Sequence, residues 1–489
     1  MSERDVLFLG SSPNALAAAA RLARSGLRVL VLETRAAVGG PVATEAFAPG
    51  FRADVGVASA SLDPEVVAEL GLSVEVIRRA TVTALGPTPV TLRALPELPS
   101  AVHHAVGLLR ALYRAAPPEL PVPTPEAAGS LGAITAQLLG LGPREVHEVL
   151  RLLFMPARDF FDETVPSEAV RAVLCGASMR ALSEGPFASG TLFGFLHHLA
   201  VDDGPFRSTA RGGVGALAGA LAAAAQGFGA SVRTGVPGPI QVDVEGGVAR
   251  GVRLGDGEHL AARIVVSDHD ARTTLTRLIS PAELDPETNR AARCTRYRGS
   301  VARVHLALSG LPSFAGLDRD ALGGTLVLAP SVAALEQAWD RAKRGALAAR
   351  PYLEVTLPTV ADPGLAPAGQ HVLDAWVQYV PYGRVDRAAL LQTVMDTLAP
   401  FAPGLAGQVL HHAVSLPEDL EARFGLTEGH LYGGEVRLDQ AFFLRPIPGC
   451  VGYESPIPGL YLGGSAAHPG GYTGRSGWNL AGRLAVPRR

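Results

Sequence analysis

Two short apolar runs, Asp5–Leu9 (DVLFL) and Arg28–Leu32 (RVLVL), flank a Gly/Ser/Pro/Asn turn and an alanine-rich stretch from Ala15 to Ser25 that stops at Gly26. That order predicts strand, helix and strand in about thirty residues, the βαβ unit. Parallel strands joined by a crossover helix need cover on both faces of their sheet, so the pattern commits the chain to an α/β fold.

The turn reads Gly10-Ser11-Ser12-Pro13-Asn14-Ala15, where a dinucleotide-binding fingerprint carries Gly-x-Gly-x-x-Gly. Its first glycine permits the tight turn, the second lets the backbone approach a pyrophosphate, and the third allows close helix packing. Only the first is present; Ala15 is an accepted third, whereas Ser12 puts a side chain where the phosphate comes closest. The helix N-terminus still offers free N–H groups and a positive dipole end. Glu33, closing the second run, stands where a carboxylate holds the ribose hydroxyls of an adenosine.

Beyond this unit, residues 61 to 200 read as mostly helical, broken by the proline-rich stretch Ala116–Pro125. A helix is expected over Gly212–Ala225, then strands at Ser231–Thr234, Ile240–Glu245, Val248–Leu254 and Ile264–Ser267, with Gly246-Gly247 as a hairpin signal. Residues 290 to 415 alternate strand-like runs (Val301–Leu308, Thr325–Leu328, Tyr352–Leu357, His371–Tyr379) with helices near 331–345 and 386–400, which predicts a mixed sheet. The last section, Leu460 to Gly482, returns to strand, glycines and helix.

At 489 residues with 47% hydrophobic and 18% charged residues, the chain has material for a large core and little for disorder. A formal charge of -3 lacks the basic footprint of a nucleic-acid binder, so none is expected as a partner. The three cysteines, Cys175, Cys294 and Cys450, are far apart and show no metal-ligand spacing; they read as buried free thiols in a reducing compartment. A charged start leading straight into a strand, with no apolar run long enough to span a bilayer, predicts a cytoplasmic protein, peripheral membrane contact being left open. Lys343 is the only lysine, in a charged helix expected to be exposed.

Four ordered blocks resemble the phytoene desaturase-like family, which includes carotenoid desaturases and isomerases and the pyridine nucleotide-disulfide oxidoreductase domain-containing proteins. They are VLETRAAVGGPVATEAFAPGFRADVGVAS, RGGVGALAGALAAAAQGFGASVRTG, LYGGEVRLDQAFFLRP and SPIPGLYLGGSAAHPGGYTGRSGWNLAGRLA. The resemblance covers essentially the whole chain. It implies an α/β flavoprotein of the two-dinucleotide-binding-domain type: a discontinuous Rossmann-like FAD domain (1–60, 205–285 and 445–489), a mostly helical part of the substrate domain (61–204) and a mixed-sheet part (286–444).

Carried over residue by residue, Gly10, Ser12, Pro13 and Asn14 match the pyrophosphate turn, and Glu33, with Thr34 and Arg35 after it, matches the ribose carboxylate segment. Gly39 and Gly40 match the glycine pair beside the pyrophosphate and ribityl chain; Gly464 and Ser465 match the strand end that meets the ribityl phosphate. Gly474, Arg475 and Ser476 match the helix start facing the flavin N1/O2 edge, where a helix N-terminus stabilises reduced flavin. Thr234–Ile240 departs from the family pattern, leaving Val236 as the nearest equivalent of the adenine contact.

His468 and Arg445 are the candidate catalytic side chains, the first to orient substrate or relay a proton, the second to neutralise reduced flavin or bind an acidic substrate. The adjacent pairs His103-His104, His197-His198 and His411-His412 point their rings in different directions, so no metal site is expected. The resemblance implies FAD-dependent desaturation, saturation or isomerisation of a hydrophobic substrate, isoprenoid or carotenoid in kind. Its pocket is expected as an elongated apolar cleft between the flavin and the sheet of residues 290–380, with the helical segment 100–200 covering its other side. A cofactor-free binding or scaffold protein on the same fold, and a nicotinamide dehydrogenase, are the alternatives; oligomeric state is left open.

Overall fold

The computed structural model describes residues 4–117, 132, 135–180, 182–202 and 204–485. In it Arg4–Leu9 is a central strand, parallel to Val29–Glu33 on one side and to His259–Ser267 on the other. Ser231–Thr234 extends the sheet beyond Val29–Glu33. The other flank is shared: the antiparallel hairpin Gln241–Glu245/Val248–Arg253 pairs with the first part of His259–Ser267, and Leu460–Leu462 pairs in parallel with its end. The glycine pair 246–247 sits in the hairpin turn, as its sequence predicts.

Alternation puts Val6, Phe8, Val29 and Val31 on one face, under the helices Pro13–Arg24, Gly215–Gly227 and Arg475–Ala485. Leu7, Leu9, Leu30 and Leu32 face the opposite layer, with Leu275, Ile279 and Ala292. The helix Pro13–Arg24 is apolar almost all round because it is covered by both neighbouring helices. Its alanines let them come close: a Cβ on Gly477 would lie 1.8 Å from the Asn14 carbonyl oxygen.

A second seven-stranded sheet runs in the order Val409–Ser415, Val301–Leu308, His371–Gln378, Tyr352–Thr356, Thr325–Leu328, Val82–Ala84, Val90–Leu92. All pairs are antiparallel except Thr325–Leu328 with Val82–Ala84. Strands also occur where the sequence reads as helical, at Val76–Arg78, Val82–Ala84 and Val90–Leu92. Three residues are too few to show a period of two, and these strands exist only through their partners. The helices Ser100–Arg114, Pro143–Phe154, Ala157–Thr164, Glu168–Ser178 and Leu192–Val201 form a third layer with its own core. Among the described residues no helix is long and apolar enough to cross a membrane. Cys175 and Cys450 are buried as expected, but Cys294, on the last turn of Pro286–Cys294, is exposed. Residues 118–125 of the expected proline-rich loop lie outside the described residues.

The two faces of the second sheet differ sharply. Val304, Leu306, Leu353, Val355, Leu373 and Ala375 pack on one side with the helix Arg387–Leu398. The other side carries ion pairs. Arg180 Nε donates to Glu354 Oε1 at 3.0 Å and Arg207 stands 2.9 Å from Oε2, while Arg303 contacts Asp374 at 2.5 Å with His305 3.3 Å from the same carboxylate. The Arg207 and Arg303 guanidiniums each lie over the Trp376 ring, 5.3 and 5.6 Å from its centre. Burial alone would raise the carboxyls of Glu354 and Asp374, but the arginines overcome it and hold both at about 2. Both acids are lowered on folding, so the stability they contribute is complete above the free carboxylate range near pH ~4.5 and is lost as pH falls toward about 2. Glu354→Gln, which leaves two buried guanidiniums without their counter-charge, is expected to cost ~3–5 kcal/mol in urea unfolding at neutral pH and to flatten the acid limb of the stability curve.

Candidate cofactor and substrate site

Strand register brings the functional residues to one sheet edge. Leu9 pairs with Leu32 and with Ser267, and Ser267 pairs with Leu462, so Gly10, Glu33, Asp268 and Gly463 emerge side by side at the carboxyl ends of parallel strands. That edge is where ligands bind in open α/β sheets. A groove of about 220 Å³ runs along it, and Gly10, Ser12, Glu33, Thr34, Arg35, Gly40 and Ser465, all expected from the sequence, line it. Gly10 has φ +104, and a Cβ there would come within 2.8 Å of Asp268 Cβ. Glu33 is buried and accepts hydrogen bonds from Ser11 Oγ (2.5 Å) and the Arg35 N–H (2.9 Å). The Arg35 guanidinium stacks over Phe424 and pairs with Glu45.

Other expected residues support the groove without lining it. Pro13 and Asn14 form the first turn of the helix, where Ser12 Oγ caps the Asn14 N–H and Asn14 Nδ2 donates to the Gly471 carbonyl. Gly39, at φ +113, donates to the Ser11 carbonyl. Gly464 packs directly on the Asp268 carbonyl, and Ser476 Oγ donates to the carbonyls of Gly463 and Gly464, tying strand end to helix start. Gly474 opens that helix at φ +82. Val236 does not reach the groove; its N–H is used on the Glu33 carbonyl, and Ile240 lines the wall instead.

The two candidate catalytic side chains are engaged in the fold. Arg445 is buried and donates to the carbonyls of Tyr432, Gly433, Glu435 and Ser465, clamping one loop to the strand end. His468 is buried, its Nε2 lies 3.1 Å from the Leu112 carbonyl, and burial pushes it down to about 4, so it is neutral near pH 7. Arg475 gives its guanidinium to Asp63 and Glu65 rather than to the groove. The cleft expected against the second sheet is corrected as well, because that face is a packed layer of ion pairs. A cavity lies instead between the helical layer and the C-terminal turn: about 560 Å³, lined by Leu62, Val67, Leu199, Val201, Leu217, Pro469 and Thr473, with Asp63, Asp202, Arg78, Arg110, Arg114 and Arg475 as its charged members. Helices of the segment 100–200 do cover it. A smaller space of about 30 Å³, lined by His197, His198, Tyr432, Gly471 and Tyr472, shares Ser61, Val201, Asp202, Ser208 and Thr473 with the large one.

Sequence reasoning missed Asp268. Its carboxylate takes the Ser12 N–H and the Ser12 Oγ, both at 2.6 Å, and so sits at the helix N-terminus where the turn would meet a pyrophosphate. Its position right after a parallel strand, level with Gly10, was the available signal. Burial pushes its carboxyl up to about 7 despite the two Ser12 hydrogen bonds, with Glu33 adding repulsion. The groove therefore fits the adenosine and pyrophosphate half of FAD in its buried strand-end carboxylate, glycine turn and helix N-terminus, with one intramolecular anion competing for the turn. Among the described residues no cluster suits a metal ion.

Residues 9–67 match the family model of the NAD(P)-binding Rossmann-like domain. The pyridine nucleotide-disulfide oxidoreductase domain-containing protein 2 of Rattus norvegicus is 28% identical over 98% of this chain and 93% of its own length. The neurosporene-forming phytoene desaturase of Cereibacter sphaeroides is 30% identical over 53% of this chain and 49% of its own. Wild-type putrescine oxidase bound to putrescine shares the fold at TM-score 0.60 and 16% identity, over 99% of this chain and 98% of that one. The chain is an oxidoreductase relative with the FAD-dependent flavoprotein fold.

Glu33→Ala is expected to weaken FAD binding by ~1–3 kcal/mol in a fluorescence titration, the usual loss for a buried charged hydrogen bond. Asp268→Asn is expected to do the opposite at pH 8, tightening FAD by ~1 kcal/mol or more, because it removes the competing charge. The wild-type affinity should fall as pH rises through about 7, where Asp268 loses its proton, and the Asn variant should show no such slope.

Proposed function

We propose that the chain is an FAD-dependent oxidoreductase whose substrate is a small amphipathic molecule with an acidic group, bound in the 560 Å³ cavity. In this reading residues 1–60, 205–285 and 445–489 serve the cofactor, and 61–204 and 286–444 serve the substrate. One observation carries it: a single turn separates groove from cavity, Tyr472 lining the groove and the small space, Thr473 the small space and the large cavity. A cofactor held at Glu33 would occupy this groove, whose lining ends at the turn beside the substrate space. FAD supplies hydride acceptance there. The protein's own residues orient the substrate, with apolar side chains along the cavity and the exposed arginines Arg78, Arg110 and Arg114 at its mouth.

The charged members of the cavity also decide between substrate classes. Phytoene, the substrate in the names of the desaturase relatives, is a long hydrocarbon and has no group to pair with the arginines at the mouth. An acid of moderate size pairs with the arginines and keeps its apolar part inside. The test is anaerobic bleaching of the flavin's visible band by two panels, amphipathic carboxylic acids and neutral isoprenoid hydrocarbons. Bleaching by the acids, weakened about tenfold or more in Arg110→Ala/Arg114→Ala through apparent affinity, is the expected outcome. Bleaching by the hydrocarbons alone returns the substrate to the isoprenoid class.

A further inference from the structure

The helix Leu192–Val201 carries a buried histidine whose bonding is half complete. His198 Nδ1 lies 3.2 Å from Asp202 Oδ2, and its ring is 1% exposed and lines the 30 Å³ space next to the cavity. Asp202 also lines both spaces. Burial would raise the Asp202 carboxyl, but His198 overcomes it, with Arg180 and Arg207 adding to the pull, so the carboxylate stays ionised below its ordinary value. A carboxylate oxygen at Nδ1 takes the ring proton there, so in the neutral imidazole it is Nε2 that carries the lone pair. That Nε2 is buried and has no hydrogen-bond partner. An acceptor held in one tautomer by a carboxylate and left without a donor is costly to keep unless something occupies it.

We propose that His198, positioned by Asp202, is the proton acceptor of the substrate cavity; the inference rests on reading that cavity as the substrate site. A bound molecule placing a hydroxyl or ammonium group in the small space gives its proton to Nε2. The heteroatom–H bond breaks and leaves its electron pair on the heteroatom, an Nε2–H bond forms, and the imidazolium charge is balanced by Asp202. The space suits such a group, since about 30 Å³ accommodates one water-sized polar head. The other titratable groups around the ring come from three elements. His197 precedes it on its own helix and is held neutral by burial, with its Nδ1 on the Tyr113 hydroxyl. Tyr432 packs edge-on against His198 at 5.8 Å, and Tyr472 lines the same space; burial raises both phenols, so neither competes as an anion. His468, the histidine that the C-terminal block singles out, has no part in this pair.

4-Nitrophenol is a suitable probe because its anion absorbs visibly and its neutral form does not. Buffered below its free pKa and bound to the full-length protein, it should show the phenolate band. In His198→Gln the probe should still bind, measured by calorimetry, but with the bound phenolate fraction lowered about tenfold or more, the change made by one unit of proton affinity. Asp202→Asn should give an intermediate fraction, and Asp202→Glu should restore it. Independently of any variant's folding, a ¹⁵N spectrum of the wild-type protein should show the His198 Nδ1–H tautomer with a bare Nε2. A retained phenolate band in His198→Gln, or an Nε2–H tautomer in the wild type, overturns the proposal while leaving the cavity as the substrate site. Failure of the probe to bind the wild type overturns the cavity reading, and the proton acceptor with it.

Discussion

Everything at the site depends on the register of four parallel strands. Leu9, Leu32, Ser267 and Leu462 are level across the sheet, so the residues that follow them share one edge although hundreds of positions separate them in the chain. A slip of one residue would invert every face of the strand concerned and carry its core leucines and valines to the wrong layer. Apolar burial on both faces therefore holds the functional edge in place. The alanine-rich helix contributes by starting immediately after the turn, which brings its positive end to the groove floor.

That positive end also explains the main electrostatic tension of the molecule. A helix N-terminus attracts an anion, and here the fold supplies one in Asp268. Ser12, in place of the fingerprint's second glycine, and Asp268 bond to each other, so the two departures form one feature. A cofactor's pyrophosphate and the Asp268 carboxylate compete for the same donors, and removal of Asp268 from water, with its value at about 7, lets protonation ease the competition. The second sheet does the reverse work. Its buried Arg180–Glu354–Arg207 and Arg303–Asp374 groups set charge against charge and fill that face of the sheet.

The parts of the fold that were legible in the sequence are those where local pattern and tertiary role coincide. Val6 to Leu9 and Val29 to Leu32 are continuous apolar runs because both faces are covered, and the hairpin at Gly246-Gly247 is set by its turn. Glu33 was legible because its place after a strand is fixed by the unit it closes. Val82–Ala84 and Val90–Leu92 were not, since the first takes its strand character from Thr325–Leu328, more than two hundred residues away, and the second pairs only with the first. Arg445 and His468 looked reactive because of their block. Only the packing shows that neighbouring carbonyls take up the guanidinium and one imidazole nitrogen. His198 was read only as half of an adjacent pair unsuited to a metal, and the placing of the Asp202 carboxylate at its Nδ1 is seen in the structure. Likewise, the arginines at the cavity mouth come from the strand Val76–Arg78 and the helix Ser100–Arg114, which no linear motif joins.

The central claim is that the strand-end groove holds the adenosine diphosphate half of FAD. Parallel equilibrium titrations of the flavin-free protein with FAD, FMN and riboflavin, with ADP as competitor, test it most directly. FAD is expected to bind at least about a hundredfold more tightly than FMN or riboflavin, some ~2.7 kcal/mol, and ADP to displace it competitively. Equal affinity for the three flavins, or no effect of ADP, would contradict the placement of the cofactor at Gly10 and Glu33.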